Sequence, residues 1–219
     1  MKTYRPPLLL LAALLSACTT ADQQCAQADA YYQAGQYPQA VQLYTQAAGR
    51  GNATAQLQLG KCYDFGHGVP QNLQEAVRWY TLAAEAGNSN AQDNLGTCYV
   101  SGSGVAKDLD KAFMWYTRAA RSGNASALNN LGLCFRNGEG TRQDAARAAA
   151  CFEQAARMGN ADGQYNLGRC YYHGLGVPQD EGHARLWVSQ AAAQGHQNAT
   201  LFMQDNGWNR PVPPAEGAP

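Results

Sequence analysis

Cysteine is the side chain here with the most chemistry to offer, and its spacing is regular. Cys62, Cys98, Cys134 and Cys170 recur every 36 residues. Four thiolates can hold a zinc ion, and pairs of them can close disulfides. The surrounding pattern argues against both. Leu-Gly recurs in the same register at Leu59-Gly60, Leu95-Gly96, Leu131-Gly132 and Leu167-Gly168. A Gly-x-Gly loop follows each time, from Gly66/Gly68 to Gly174/Gly176, and an Ala-Ala pair closes each unit, as at Ala83-Ala84. Such self-similarity marks a solenoid, in which each unit hides its apolar face by stacking on its neighbours. Equivalent positions in stacked helices lie about 8–10 Å apart. A disulfide needs Cα atoms about 4.4–6.8 Å apart, and zinc needs all its ligands within about 2.3 Å. The four cysteines therefore read as small hydrophobes on a buried helix stripe.

Cys151 stands apart, in the second helix of its unit, where it could meet Cys134 of the same unit or Cys170 of the next. An oxidising compartment would favour one such bridge. Cys25 has no evident partner. The four histidines, His67, His173, His183 and His196, form no repeated pair and point to exposed or capping roles. The Gly-x-Gly loops join helix to helix and lack the third glycine of a dinucleotide site and the Gly-Lys-Ser/Thr of a phosphate loop. Neither a Gly-x-Ser-x-Gly elbow nor a Ser-x-x-Lys pair occurs. We therefore expect no catalytic residue, no metal and no cofactor.

The elements that carry these residues follow from period and punctuation. In the unit 53–88, Ala55, Leu59, Cys62, Tyr63 and Gly66 share one stripe of a first helix from Ala53 to Phe65. Gly66-His67-Gly68-Val69-Pro70 breaks it. Asn72-x-x-Glu75 reads as a capping box for a second helix, with Asp108, Asp144 and Asp180 at the equivalent cap. That helix buries Ala76, Trp79, Tyr80, Ala83 and Ala84 and stops at Gly87, whose counterparts are Gly51, Gly123, Gly159 and Gly195. Alanines 40, 76, 112, 148 and 184 let the paired helices approach. A Trp79/Trp115/Trp187 column, broken by Cys151, is expected to fill the remaining volume.

Ala-x3-Leu-Gly-x-x-Tyr-x-x-Gly-x-Gly-Val followed by Asp-x-x-x-Ala-x-x-Trp-Tyr-x-x-Ala-Ala-x-x-Gly-Asn resembles the Sel1-like repeat, a relative of the tetratricopeptide repeat. The resemblance covers about residues 26–200 and implies an all-α solenoid of helical hairpins forming a right-handed superhelix. The fourth long unit departs from it, with Thr141 for Val and Cys151 for Trp. The first unit, Tyr31-x3-Gly35-x-Tyr37-x2-Ala40, lacks the long loop and resembles a plain tetratricopeptide hairpin. A cysteine-rich subgroup of the family places disulfides near the Ala-Ala pair, where this chain has alanine. Relatives in that subgroup are associated with β-lactam binding, for which this chain offers no nucleophile.

The amino terminus reads as a targeting segment. Lys2 and Arg5 precede an apolar run from Leu8 to Leu15, too short to cross a roughly 30 Å hydrocarbon core. Leu15-Ser16-Ala17-Cys18 resembles the lipobox of bacterial lipoproteins, which implies cleavage before Cys18 and its lipidation. The alternative is an ordinary secretory peptide with an incidental cysteine. Thr19, rather than Asp, after the cysteine implies the outer membrane, on its periplasmic side or at the surface.

The organisation expected is a signal peptide at 1–17, Cys18 with a short tether at 18–25, and a capping hairpin at 26–52. Four repeats follow at 53–88, 89–124, 125–160 and 161–196, then a capping helix at 197–206. The Pro-rich tail 207–219 is expected to be disordered.

Removing residues 1–17 takes away Lys2 and Arg5, so 16 basic residues become 14 against 16 acidic, a net of −2. With four lysines in all, there is no basic footprint for nucleic acid. Apart from the membrane reached through the lipid, the partners expected are protein segments or an envelope polymer. By resemblance they meet the concave face, at the columns Leu57/Asp93/Asn129/Tyr165, Lys61/Thr97/Leu133/Arg169 and Asp64/Val100/Arg136/Tyr172. These columns change from unit to unit, as freely drifting surface positions also would. Arg136, Tyr165, Arg169 and Tyr172 gather the residue types enriched at binding hot spots. The function expected is an envelope-anchored binding scaffold. The alternatives are a subunit of an envelope export complex, a host-contacting lipoprotein and, last, a cell-wall or β-lactam-linked hydrolase.

Overall fold

The computed structural model describes residues 20–208. Every regular element among them is an α-helix: α1 Ala21–Gln33, α2 Tyr37–Gly49, α3 Ala53–Phe65, α4 Leu73–Glu85, α5 Ser89–Ser101, α6 Leu109–Arg121, α7 Ala125–Asn137, α8 Ala145–Arg157, α9 Ala161–His173, α10 Glu181–Ala193 and α11 Gln197–Asp205. They fall into two compact units, one ending at Ala106 with α1–α5 and one starting at Lys107 with α6–α11. In each, successive helices pack as neighbours. No helix among the described residues is long and apolar enough to cross a membrane. Cys18 and the expected leader before it lie outside the described residues.

One residue both ends a hairpin and begins the next. At the end of α4, Gly87 takes φ +90°, and its N–H donates to the Ala84 carbonyl at 3.1 Å. The Asn88 N–H donates to the Ala83 carbonyl at 2.9 Å, completing the pair of bonds that satisfies a helix C-terminus. The Asn88 side-chain oxygen then accepts the Ala91 N–H at 3.0 Å and caps α5. Asn52, Asn124 and Asn160 do the same, and His196 substitutes its ring Nδ1 before α11. Each such cap is worth about 1 kcal/mol. The second helices are capped by Asn72, Asp108, Asp144 and Asp180, as expected. The capping box is not completed: Glu75 turns to Arg78 at 3.0 Å instead of reaching back.

The second glycine of each loop is set by close approach as well as by its positive φ. A Cβ on Gly104 would overlap the Leu73 carbonyl, one on Gly140 that of Leu109, and one on Gly176 that of Ala145. Each loop therefore lies directly against the start of the preceding second helix. The Leu-Gly glycines serve helix pairing: Gly60, Gly132 and Gly168 face Tyr80, Phe152 and Val188 across their own hairpins.

Those partners correct the expected core. The fully enclosed column is Tyr44, Tyr80, Phe152 and Val188, with Tyr116 also buried. Trp115 is buried, but Trp79 and Trp187 are only half-buried. Arg78 and Arg118 cover the Trp79 and Trp115 rings at 4.5 and 4.7 Å. The side chain one position on points inward instead, against the Leu-Gly glycine of the facing first helix.

Both ends differ from expectation. Helix α1 starts at Ala21, with Thr20 and Gln23 exchanging a complete capping box, so residues 21–25 are helical rather than tether. At the other end, Gly207 is exposed, but Trp208 is packed rather than part of a loose tail. Trp208 is 6 % exposed, and its indole N–H donates to Glu181 at 3.2 Å. The rest of the expected tail lies outside the described residues.

Candidate functional site

The first helices of the hairpins carry the candidate face. In the first unit Leu57 is buried and unavailable, and Asp64 accepts the Tyr80 hydroxyl at 3.1 Å. Burial, then the Asp64 carboxylate, pushes the Tyr80 phenol well above its ordinary range. Around Asp64 a cleft of about 200 Å³ runs between α3 and α5, lined by Lys61, Phe65, Asn94, Thr97 and Ser101.

The second unit brings the four predicted residues onto α7 and α9 but divides their roles. Tyr172 donates its hydroxyl to Asn206 at 2.6 Å and meets Phe202 and Trp208 edge-on at 5.1 and 5.8 Å. Tyr165 packs against His196 at 4.7 Å and Phe202 at 6.2 Å. Both tyrosines thus seat the final helix instead of lying free. The His196 ring, whose Nδ1 caps α11, also bonds Asp162 at 3.1 Å through Nε2. His67 stacks on Tyr37 at 4.5 Å and bonds Tyr32, while His183 bonds Asp180.

Arg136 and Arg169 remain. Arg136 donates through Nε to Asn137 at 3.2 Å and through a terminal nitrogen to Asn166 at 3.3 Å. Asn166 donates onward to buried Asn129 at 2.8 Å, so a chain of amides crosses from α9 to α7 and holds the guanidinium. The Arg169 guanidinium lies 5.8 Å over the Tyr165 ring. Both cations act on the Cys170 thiol, opposing the upward push of burial on its pKa. Asn166 was missed as a site residue, although a repeated asparagine before Leu-Gly, at Asn94, Asn130 and Asn166, marked the position.

The cysteines behave as core. Cys62, Cys98 and Cys134 are buried thiols pushed up to about 11, chiefly by burial. Cys134, Cys151 and Cys170 are all free thiols, so neither bridge considered for Cys151 is formed in this structure. Among the described residues, no three His, Cys, Asp or Glu side chains are placed to hold a metal.

A second repeated bond ties hairpins together. Buried Gln56, Gln92 and Gln164 donate to the carbonyls of Ala48, Ala84 and Ala156 in the preceding second helix, at 3.2, 2.9 and 3.3 Å. In the unit between the last two, Leu128 stands at this position.

Solved structures with this arrangement are known. A Sel1 repeat protein from Oxalobacter formigenes is 30 % identical, with a TM-score of 0.81 over 90 % of this chain and 81 % of that one. A protective antigen of uropathogenic Escherichia coli is 34 % identical, with a TM-score of 0.75 over 86 % of this chain. The chain spans 42 % of that antigen's length. A Sel1 repeat protein from Klebsiella pneumoniae shares the fold at 20 % identity and a TM-score of 0.57, over 85 % of this chain and 93 % of that one. No curated protein matches the chain. The Sel1 repeat model matches residues 28–52, 53–88, 89–124, 125–160 and 161–196. Matched repeat by repeat over most of its length, the chain belongs to the Sel1 repeat family, whose members are generally scaffolds for protein–protein contact.

Proposed function

We propose that this protein is a lipid-anchored scaffold of the bacterial envelope that holds a protein segment on the first-helix face of its second unit. The observation that carries this reading is the pairing of Arg136 and Arg169. Both are half-buried and fixed by neutral neighbours, yet neither is used to close the core. The anchor is read from Leu15-Ser16-Ala17-Cys18, and with Thr19 following, the outer membrane is its destination. Because α1 starts at Ala21, only Thr19 and Thr20 separate the acylated residue from the fold. Several acyl chains hold more firmly than one, at roughly 0.8 kcal/mol per buried methylene.

The test has two arms. Metabolic labelling with a palmitate analogue should mark the protein, and Cys18→Ser should abolish the label and release the protein from membranes. A photo-crosslinking residue in place of Leu133 should capture a protein in intact cells, and one in place of exposed Leu186 should not. Absence of label removes the anchor, and absence of capture removes the binding face.

A second reading, a surface lipoprotein contacting a host, draws support from the likeness to the uropathogenic antigen. Protease shaving of intact cells tests it, since only a surface-displayed protein would be cleaved.

A further inference from the structure

The arginines of this chain differ in what holds them. Arg78, Arg147 and Arg157 each hold a carboxylate of their own helix or its cap, on Glu75, Asp144 and Glu153. Arg136 and Arg169 have no ion pair among the described residues. Glu139 accepts from Asn137 at 3.3 Å and Asp162 pairs with the His196 ring, so neither carboxylate is bonded to these arginines. We infer that Arg136 and Arg169 form a two-cation seat for the carboxylates of an acidic peptide segment, with Asn166 and Asn129 as positioning residues.

The inference rests on the reading of this face as the protein-binding one, and it adds the chemistry of the partner. A guanidinium offers five N–H donors in a planar fork that matches a carboxylate. Asn137 and the amide chain through Asn166 and Asn129 use Nε and one terminal nitrogen of Arg136 and fix its orientation, leaving the second terminal nitrogen unbonded among the described residues. Arg169 lies 5.8 Å over the Tyr165 ring, a cation–π contact that places no carboxylate on its N–H donors. Neutral amides and a ring hold two positive charges near one point, Cys170, without cancelling them. Ordering cost is thereby met before a ligand arrives.

Half-buried Leu133, in the column of Arg169, adds an apolar contact beside the two charges. A peptide supplies both carboxylates and apolar side chains. A polyuronate supplies only the former, so the peptide is the better match.

The probes are fluorescein-labelled hexaglutamate, hexaglutamine and an oligogalacturonate, titrated with the soluble chain lacking its leader and followed by anisotropy. Hexaglutamate should bind, weakening as salt rises, and hexaglutamine should not. Arg136→Gln with Arg169→Gln should raise Kd at least about tenfold. Asn166→Asp, which places a carboxylate on Arg136 from inside, should do the same without removing either arginine. Unchanged melting temperatures would show both variants folded. Equal binding of hexaglutamine, binding of oligogalacturonate alone, or indifference to both variants would overturn the inference. Capture through position 133 that persists in the double arginine variant would overturn the acidic-peptide chemistry while leaving the scaffold reading standing. Loss of capture in that variant, together with hexaglutamate binding, supports both.

Discussion

Gln194 donates its side-chain amide to the Oε1 of Gln164 at 2.8 Å, satisfying a buried acceptor that the equivalent glutamines leave unpaired. Gln56 and Gln92 make the same bond to the preceding helix as Gln164, yet their own oxygens have no partner. In the repeat of Gln56, the residue at the place of Gln194 is Ala86, whose backbone sits in nearly the same conformation. Ala86→Gln should therefore donate to Gln56 and raise stability by about 0.5–1.5 kcal/mol, read as a higher urea midpoint. Gln194→Ala should lower it by about 1–3 kcal/mol, because a buried acceptor is then orphaned.

Two glycines with the same backbone sign should respond differently to alanine. Gly159 has φ +83° and open space around it, so Gly159→Ala should cost about 1–2 kcal/mol for the left-handed conformation alone. Gly176 has φ +75° and the Ala145 carbonyl in the way, so Gly176→Ala should cost roughly 1–3 kcal/mol more. Chemical denaturation of both variants checks the difference. Equal losses would mean the loop does not press on the preceding helix.

Buried thiols give an alkaline limb to stability. In the fold Cys62, Cys98 and Cys134 titrate near 11, above the ordinary 9.0. Below pH 9 both folded and unfolded chains keep these protons, and stability is unaffected. Between about pH 9 and about 11 the unfolded chain loses protons that the folded one retains, so stability falls as pH rises. Tyr44 and Tyr80, also pushed up by burial, carry the fall further. Urea midpoints from pH 7 to 11 should trace this decline, and replacing the three cysteines by alanine should make it shallower.

Trp208→Ala should remove the lid over Phe202 and Tyr172. A loss of about 3–5 kcal/mol is expected for a buried indole. The Arg185 guanidinium, which donates to the Trp208 carbonyl at 3.0 Å, keeps its acceptor in this variant. Faster hydrogen exchange confined to α11 would separate local fraying from global unfolding.

Much of this architecture was legible in the residues. Hairpin boundaries followed from the Gly-Asn junctions and the Asn72/Asp108/Asp144/Asp180 caps, because those side chains act within three residues of themselves. The choice between Trp79 and Tyr80 was not legible. Neighbours on a helix lie about 100° apart, so either aromatic satisfies the period, and the opposing glycines decide. The site was only half legible. Arg136 and Arg169 stay clear of the core, whereas Tyr165 and Tyr172 are taken by α11. A pattern shared among repeats cannot foresee that terminal closure. Trp208 was missed because one aromatic beside Pro211 and Pro213 carries no period at all.

The asparagine that closes one hairpin while opening the next leaves no slack between modules. Inserting even one residue there would separate two duties now performed by a single backbone amide and side chain, and would swing everything downstream about the chain axis. The loops are similarly pinned, by glycine against a neighbouring carbonyl. Such a molecule can lengthen or shorten only by gain or loss of whole 36-residue blocks. Its reach is therefore quantised, and adaptation to a new partner must come from side chains repainted on a fixed lattice.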